Sequence, residues 1–175
     1  MPIDDSRPFR PVRIAVLTVS DTRGPAEDTS GDLLVERLTA AGHILAGRTI
    51  VRDDLEELTA RLHNWVDDPD VDCVISTGGT GVTGRDVTPE ALQALGGKDI
   101  PGFGELFRWL SYQSIGTSTI QSRACAVVVR GTYIFALPGS SGAVKDGWDG
   151  ILGPQLDSRH RPCNFVELMP RLRER

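Results

Sequence analysis

The segment RIAVLTV, Arg13–Val19, is apolar at nearly every position and rich in branched side chains. Alternation with polar residues would mark a strand with one wet face. A continuous apolar run of strand length marks a strand buried on both faces. Such strands belong to parallel sheets covered by helices on each side.

The segments downstream fit that frame. After a polar loop, Asp28, Thr29 or Ser30 can cap a helix over about Gly31–Ala41, closed by Gly42. Ile44–Val51 reads as a second strand. Asp54 opens a helix that puts Leu55, Leu58, Leu62 and Trp65 on one face, and Asp54 with Glu57 forms a variant of the capping box. Asp72–Ser76 (DCVIS) is a third strand. Thr88-Pro89 starts the next helix, with Thr88 as cap and Pro89 at the first helical position. Phe103–Gln113 predicts a helix with Phe103, Leu106, Phe107 and Leu110 on one face. Ala124–Val129 and Thr132–Ala136 read as two strands joined at Arg130-Gly131. A last helix covers Ala143–Leu156, although Gly147, Gly150 and Gly153 weaken it by ~1 kcal/mol each relative to alanine. Alternating strands and helices predict an α/β fold, a three-layer sandwich with a mostly parallel central sheet plus a short hairpin. Residues 12–165 form the domain. Residues 1–11 read as an arm, mobile unless a partner subunit pins it, and 166–175 as a tail.

Composition narrows the function. The 175 residues suit one domain. A hydrophobic share of 39% and a charged share of 25% exclude disordered, collagen-like and membrane-spanning chains. Nineteen basic residues against 24 acidic ones give a net charge of -5. That argues against a nucleic-acid partner, but not against a small anion held by backbone amides. The polar, proline-containing start predicts no signal peptide. The three cysteines, Cys73, Cys125 and Cys163, form no CxxC, which fits a reducing cytoplasm.

In open α/β sheets, ligands bind beyond the carboxyl ends of the strands. Those ends carry Ser20-Asp21-Thr22, Arg52-Asp53-Asp54, the stretch Thr77–Asp86 (TGGTGVTGRD) and Pro138–Gly142 (PGSSG). Glycines at Gly78, Gly79 and Gly81 let the backbone approach a ligand, and successive amides can cradle an anion. Thr77, Thr80 and Thr83 supply hydroxyls. Gly79 and Gly84 have Walker A spacing, but Arg85-Asp86 stands where that motif needs Lys-Ser/Thr. Gly79, Gly81 and Gly84 also satisfy GxGxxG, yet the helix signal at Thr88-Pro89 comes too late for a dinucleotide site. Asp86 is explained either as a carboxylate holding Mg²⁺ beside phosphates or as a turn former bonded to loop amides. Arg85 is either a phosphate clamp or a surface residue. Asp54 is accounted for as a cap, which leaves Asp53 the better functional candidate. Ser20 stands at a strand end. Pro138, Gly139, Ser140 and Ser141 precede a helix, where the serines can cap it, hold an anion, or both. His43, His63 and His160 show no metal-ligand spacing, and no GxSxG is present.

Four segments together resemble the MoaB/Mog family of molybdenum-cofactor biosynthesis proteins. They are Thr77–Leu92 (TGGTGVTGRDVTPEAL), Pro101–Glu105 (PGFGE), Ile115–Arg123 (IGTSTIQSR) and Leu137–Ser141 (LPGSS). The likeness runs from about Val12 to Phe165, and IGTSTIQSR with the ending RPCNF looks more like the MoaB branch. The resemblance implies an α/β sandwich that binds molybdopterin and adenylylates it with Mg-ATP, releasing pyrophosphate. It also implies a homohexamer or homotrimer that hands its product to a molybdate-inserting protein. The family's essential aspartates match Asp86 and, more loosely, Asp53, as catalytic and metal-holding residues. The loop at Gly78–Gly81 matches the pterin-phosphate and nucleotide region, bordered by Pro138–Ser141. A non-catalytic molybdopterin carrier is the competing reading.

Overall fold

The computed structural model describes residues 3–174. Its six strands form one sheet: β1 (Arg13–Val19), β2 (Ile44–Val51), β3 (Cys73–Thr77), β4 (Lys98–Asp99), β5 (Cys125–Val129) and β6 (Thr132–Leu137). The order across the sheet is β2-β1-β3-β6-β5-β4. The first four are mutually parallel, and β5 and β4 add antiparallel pairing at one edge. The hairpin between β5 and β6 turns at Arg130 and Gly131, both with positive φ (49° and 95°). That combination matches the right-handed twist of the flanking strands.

β1 is buried along all but its first residue. Its alternate side chains serve two cores. Ile14 and Val16 face one layer, with Leu34 and Leu38 of α1 (Thr29–Ala40), Phe103 and Phe107 of α4 (Pro101–Ile115) and Val144 of α5 (Ser141–Gly147). Ala15 and Leu17 face the other, with Leu58, Leu62 and Trp65 of α2 (Leu55–Asp67) and Ala91 and Leu92 of α3 (Thr88–Ala94). These are the three layers expected from the sequence.

Several local expectations are corrected. Asp28, not Thr29 or Ser30, caps α1, accepting from the Gly31 amide at 3.0 Å. Thr88 is not a cap; it lies inside α3, and its hydroxyl donates to Gly78 O at 3.0 Å. Leu55 and Leu106 face solvent, although each falls near the apolar stripe of its helix. The last helix is continuous from residue 141 to 156 but passes through a π-turn at Trp148–Leu152 before α6 (Gly153–Leu156). Gly147 is there for packing, since a Cβ would lie 2.5 Å from Leu137 Cδ2.

The chain ends also differ from expectation. Residues 3–10 lie along the chain's own residues 157–167. Asp4 N–H donates to Arg159 O at 3.0 Å, Arg10 N–H to Ser158 Oγ at 2.9 Å, and Arg7 pairs with Glu167. The arm is therefore pinned within the chain, with no partner subunit needed. The domain also runs past residue 165. Asn164 caps α7 (Phe165–Leu168), whose Val166 is buried in the core. Met1, Pro2 and Arg175, the outermost residues of the expected arm and tail, lie outside the described residues.

Candidate functional site

The carboxyl ends of β1, β2, β3 and β6 open onto one cleft of about 460 Å³. It is walled by Ser20, Asp21, Asp53, residues 78–81, Asp86, Pro138 and Gly139. The glycines are structurally obligatory. Gly78 has φ +109°, and a Cβ there would lie 2.1 Å from Val19 O. Gly79 has φ +64°, and a Cβ would meet Thr88 Oγ1 at 2.3 Å and Asp53 Oδ1 at 2.6 Å. Only glycine adopts such φ values at no steric cost, so the loop can pass between β1 and α3 only as written.

Two polar atoms in this cleft are buried with no hydrogen-bond partner: Asp53 Oδ1 and Thr80 Oγ1. Buried polar groups are nearly always paired, so each such exception calls for an explanation. Burial, reinforced by the nearby charges of Asp21 and Asp86, holds the Asp53 carboxyl above its ordinary value. A cation or a ligand hydrogen-bond donor is what this atom lacks.

Asp86 is differently placed. Its Oδ2 accepts from the Thr83 amide at 2.9 Å and the Thr83 hydroxyl at 2.6 Å. Burial pushes its pKa up, but bonds from the Thr83 hydroxyl and the Thr83 and Gly81 amides, with the charge of Arg123, bring it below its ordinary value. Asp86 thus stays ionised and shapes the loop. Arg85 does not reach into the cleft. Its guanidinium grips Asp21 through two bonds, Nε to Oδ2 at 2.9 Å and Nη2 to Oδ1 at 2.7 Å. Asp21 also accepts from the Asp53 amide at 3.2 Å. It therefore ties the ends of β1 and β2 to the glycine loop.

The remaining predicted residues divide. Thr77 Oγ1 donates to Pro138 O at 3.0 Å, tying β3 to β6 below the cleft floor. Ser20 Oγ accepts from the Arg23 amide at 3.1 Å and rims the cleft. Ser140 caps α5, accepting from the Ala143 amide at 3.1 Å. Ser141 turns away; its hydroxyl donates to Thr29 Oγ1 at 3.5 Å and does not line the cleft.

A second cavity of about 340 Å³ adjoins the cleft and shares Thr80, Gly81 and Pro138 with it. Phe107, Ile115 and Ala143 give it apolar walls, while Ser118, Ser122 and Lys145 add polar groups. The sequence reading assigned no site role to these residues. The signal was the run of hydroxyls in residues 115–123, which falls on a 3₁₀ turn (Gly116–Gln121) after α4.

No cluster of three or more His, Cys, Asp or Glu side chains able to hold a metal exists among the described residues. A resident ion does not fit. A magnesium ion carried in by phosphates does, because it needs only one or two protein carboxylates, and Asp53 Oδ1 is unengaged.

Comparison with known proteins turns this geometry into an assignment. Residues 15–158 match the sequence profile of the family described as "Probable molybdopterin binding domain". The Molybdenum cofactor biosynthesis protein B of Escherichia coli (strain K12) is 49% identical over 160 residues, covering 91% of this chain and 94% of that protein. Its namesake in Bacillus subtilis (strain 168) is 46% identical over 146 residues, 83% of this chain and 86% of the other. The chain belongs to the MoaB/Mog family. Within that family it sits nearer the MoaB branch. A solved Molybdenum cofactor biosynthesis protein B superposes with a TM-score of 0.86 at 39% identity, covering 97% of this chain and all (100%) of the other. A solved MogA gives 0.72 at 30% identity, over 82% of this chain and 97% of the other. The MoaB/Mog glycine loop, read first from sequence, is the floor of the cleft.

Proposed function

We propose that the protein acts in molybdenum cofactor biosynthesis, binding molybdopterin and adenylylating it with Mg-ATP. The observation that carries this reading is the pair of buried, unpartnered atoms, Asp53 Oδ1 and Thr80 Oγ1, at a glycine-floored cleft. Both lie where a phosphorylated ligand with its cation would satisfy them. In the reaction a phosphate oxygen of molybdopterin attacks the α-phosphorus of ATP, the bond to the bridging oxygen breaks, and pyrophosphate leaves. The nucleophile is already an anion, so no histidine or cysteine base is needed. Catalysis rests on orientation and charge stabilisation. Backbone amides of residues 78–81 and the Thr80 hydroxyl bind and orient phosphate oxygens. Asp53, with the free oxygen of Asp86, would hold Mg²⁺, which supplies charge neutralisation on the departing pyrophosphate. The adjoining cavity, with apolar walls and hydroxyls, suits a flat heterocycle.

The finer partners belong to the same proposal. They are ATP, further copies of this chain in a trimer or hexamer, and a molybdate-inserting protein that takes the product, all in the cytoplasm. No helix among the described residues is long and apolar enough to cross a membrane. A second reading, a molybdopterin carrier without turnover, is favoured by one fact: Asp86 Oδ2 is already occupied by Thr83.

Single-turnover formation of adenylylated molybdopterin tests the choice. Mg²⁺-dependent product from the native chain, abolished in Asp86→Asn with molybdopterin binding largely retained, is the expected result. Binding without product in the folded native chain would establish the carrier instead.

A further inference from the structure

We infer that Arg123 is the positioning residue of this site: it holds the glycine loop in the shape that aims Asp86. This rests on the adenylylation reading for its activity test, but not for its structural one. Arg123 lies on the segment before β5. Its backbone amide donates to Thr80 O at 2.8 Å. Its guanidinium then reaches around the loop. Nε donates to Gly81 O at 2.6 Å and Nη2 to Asp86 O at 2.7 Å. The outer edge of the fork engages the Glu90 carboxylate on α3, with Nη2 to Oε2 at 3.2 Å.

One residue therefore binds both ends of the loop that carries Val82, Thr83, Gly84 and Arg85. The bonds are directional and go to backbone carbonyls. They fix the peptide planes at Gly81 and Asp86 rather than any ligand. The Asp86 side chain hangs from one of those planes and bonds Thr83 inside the loop. The rest of the loop has little to hold it. Val82, Thr83, Gly84 and Arg85 are exposed, and a side chain at Gly84 would meet nothing within 4 Å. Without the fork, the loop keeps only the Arg85–Asp21 pair at its exposed tip and its own local turn. A planar guanidinium can span two carbonyls and a carboxylate at once, while an ammonium acts as a point charge. Lysine should therefore not substitute.

The test compares native protein with Arg123→Ala, Arg123→Lys and Glu90→Gln. Amide hydrogen exchange across residues 81–86 is read without any ligand. The expected result is at least about 10-fold faster exchange in both Arg123 variants, with the β1 and β3 amides unchanged. In turnover, kcat should fall about 100-fold, as misplacement of a catalytic group by about 1 Å does. KM for Mg-ATP should rise much less. Added guanidinium should restore part of the Arg123→Ala activity and part of its exchange protection; the lysine variant should stay impaired. Glu90→Gln leaves both carbonyl bonds in place and should accelerate exchange only several-fold. It decides the matter if the Arg123 variants do not fold. Native exchange rates at residues 81–86 in every folded variant would overturn the inference. So would full activity of Arg123→Lys. An inactive native chain would instead sink the adenylylation reading, and the exchange result alone would then judge Arg123.

Discussion

At the residue scale, Asp53 is held in a state the fold does not favour. Its carboxyl is half-buried, one oxygen has no partner, and two other carboxylates stand near it. The folded state keeps a proton that the unfolded chain releases at 3.8, the ordinary value. By linkage, stability is highest below that value and is lost as pH rises through the raised folded value. The cost of keeping Asp53 in the folded state is therefore larger at neutral pH than at pH 3. Asp53→Asn should raise Tm by a few degrees at pH 7 and change it little at pH 3, while abolishing Mg²⁺-dependent turnover. Thermal scans at the two pH values check it; a lower Tm at pH 7 would contradict the assignment of strain to this carboxylate. Such a gain of stability with loss of function is common for groups retained for chemistry. The sequence pointed to Asp53 by elimination, because Asp54 was explained as a cap. Asp54 is that cap, accepting from the Glu57 amide at 2.9 Å. The sequence could not show that Arg85 is held by Asp21. The partner lies 64 positions away, and spacing says nothing of contacts at that separation.

At the element scale, the legible parts were those fixed by local chemistry. β1 and β3 were read from continuous apolar runs, α2 from its capping residue and apolar face, and the β5–β6 turn from Arg130-Gly131. What was missed depended on neighbours in space. Thr88 sits where a cap would sit, but Gly78 O takes its hydroxyl. The second cavity needs α4 and the start of α5 side by side, which no single segment encodes. The start of α1 shows how local and distant chemistry combine. Asp28 caps the helix, accepts from the Thr18 hydroxyl of β1 at 2.8 Å and pairs with Arg48 of β2 at 2.7 Å, all while fully buried. Asp28→Ala removes the cap and leaves Arg48 and Thr18 without their partner. Breaking a buried pair costs about 3–5 kcal/mol. Urea unfolding should show a loss of about 3 kcal/mol, the low end of that range, because Arg48 keeps Asp32 and is partly solvated. A loss under about 1 kcal/mol, that of an ordinary cap, would mean that the pair with Arg48 contributes nothing.

At the scale of the whole molecule, two groups of large apolar side chains are exposed among the described residues, on different elements. One is on α4 and its following turn, where Trp109 is 62% exposed, Tyr112 54% and Ile120 82%. The other is the start of β2, one of the two edge strands of the sheet, where Ile44 is 50% and Leu45 41% exposed. Scattered single residues would need no explanation, but grouped large side chains mark contact surfaces. A closed ring such as a trimer needs one kind of contact, in which two different patches meet. A hexamer built as two stacked trimers needs a second, self-complementary contact as well. A hexamer would use them as its two contacts, α4 closing the ring against another part of its neighbour and the open edge of β2 pairing with its own copy, whereas a trimer would set the α4 face of one copy against the β2 end of the next. The prediction follows from that division of labour. Trp109→Glu should break the ring contact and leave dimers. Leu45→Glu should break the strand-edge contact and leave trimers. The double variant should be monomeric and folded. Light scattering behind a sizing column reads the masses directly. Monomers from either single variant would mean instead a trimer in which the α4 face of one copy meets the β2 end of the next.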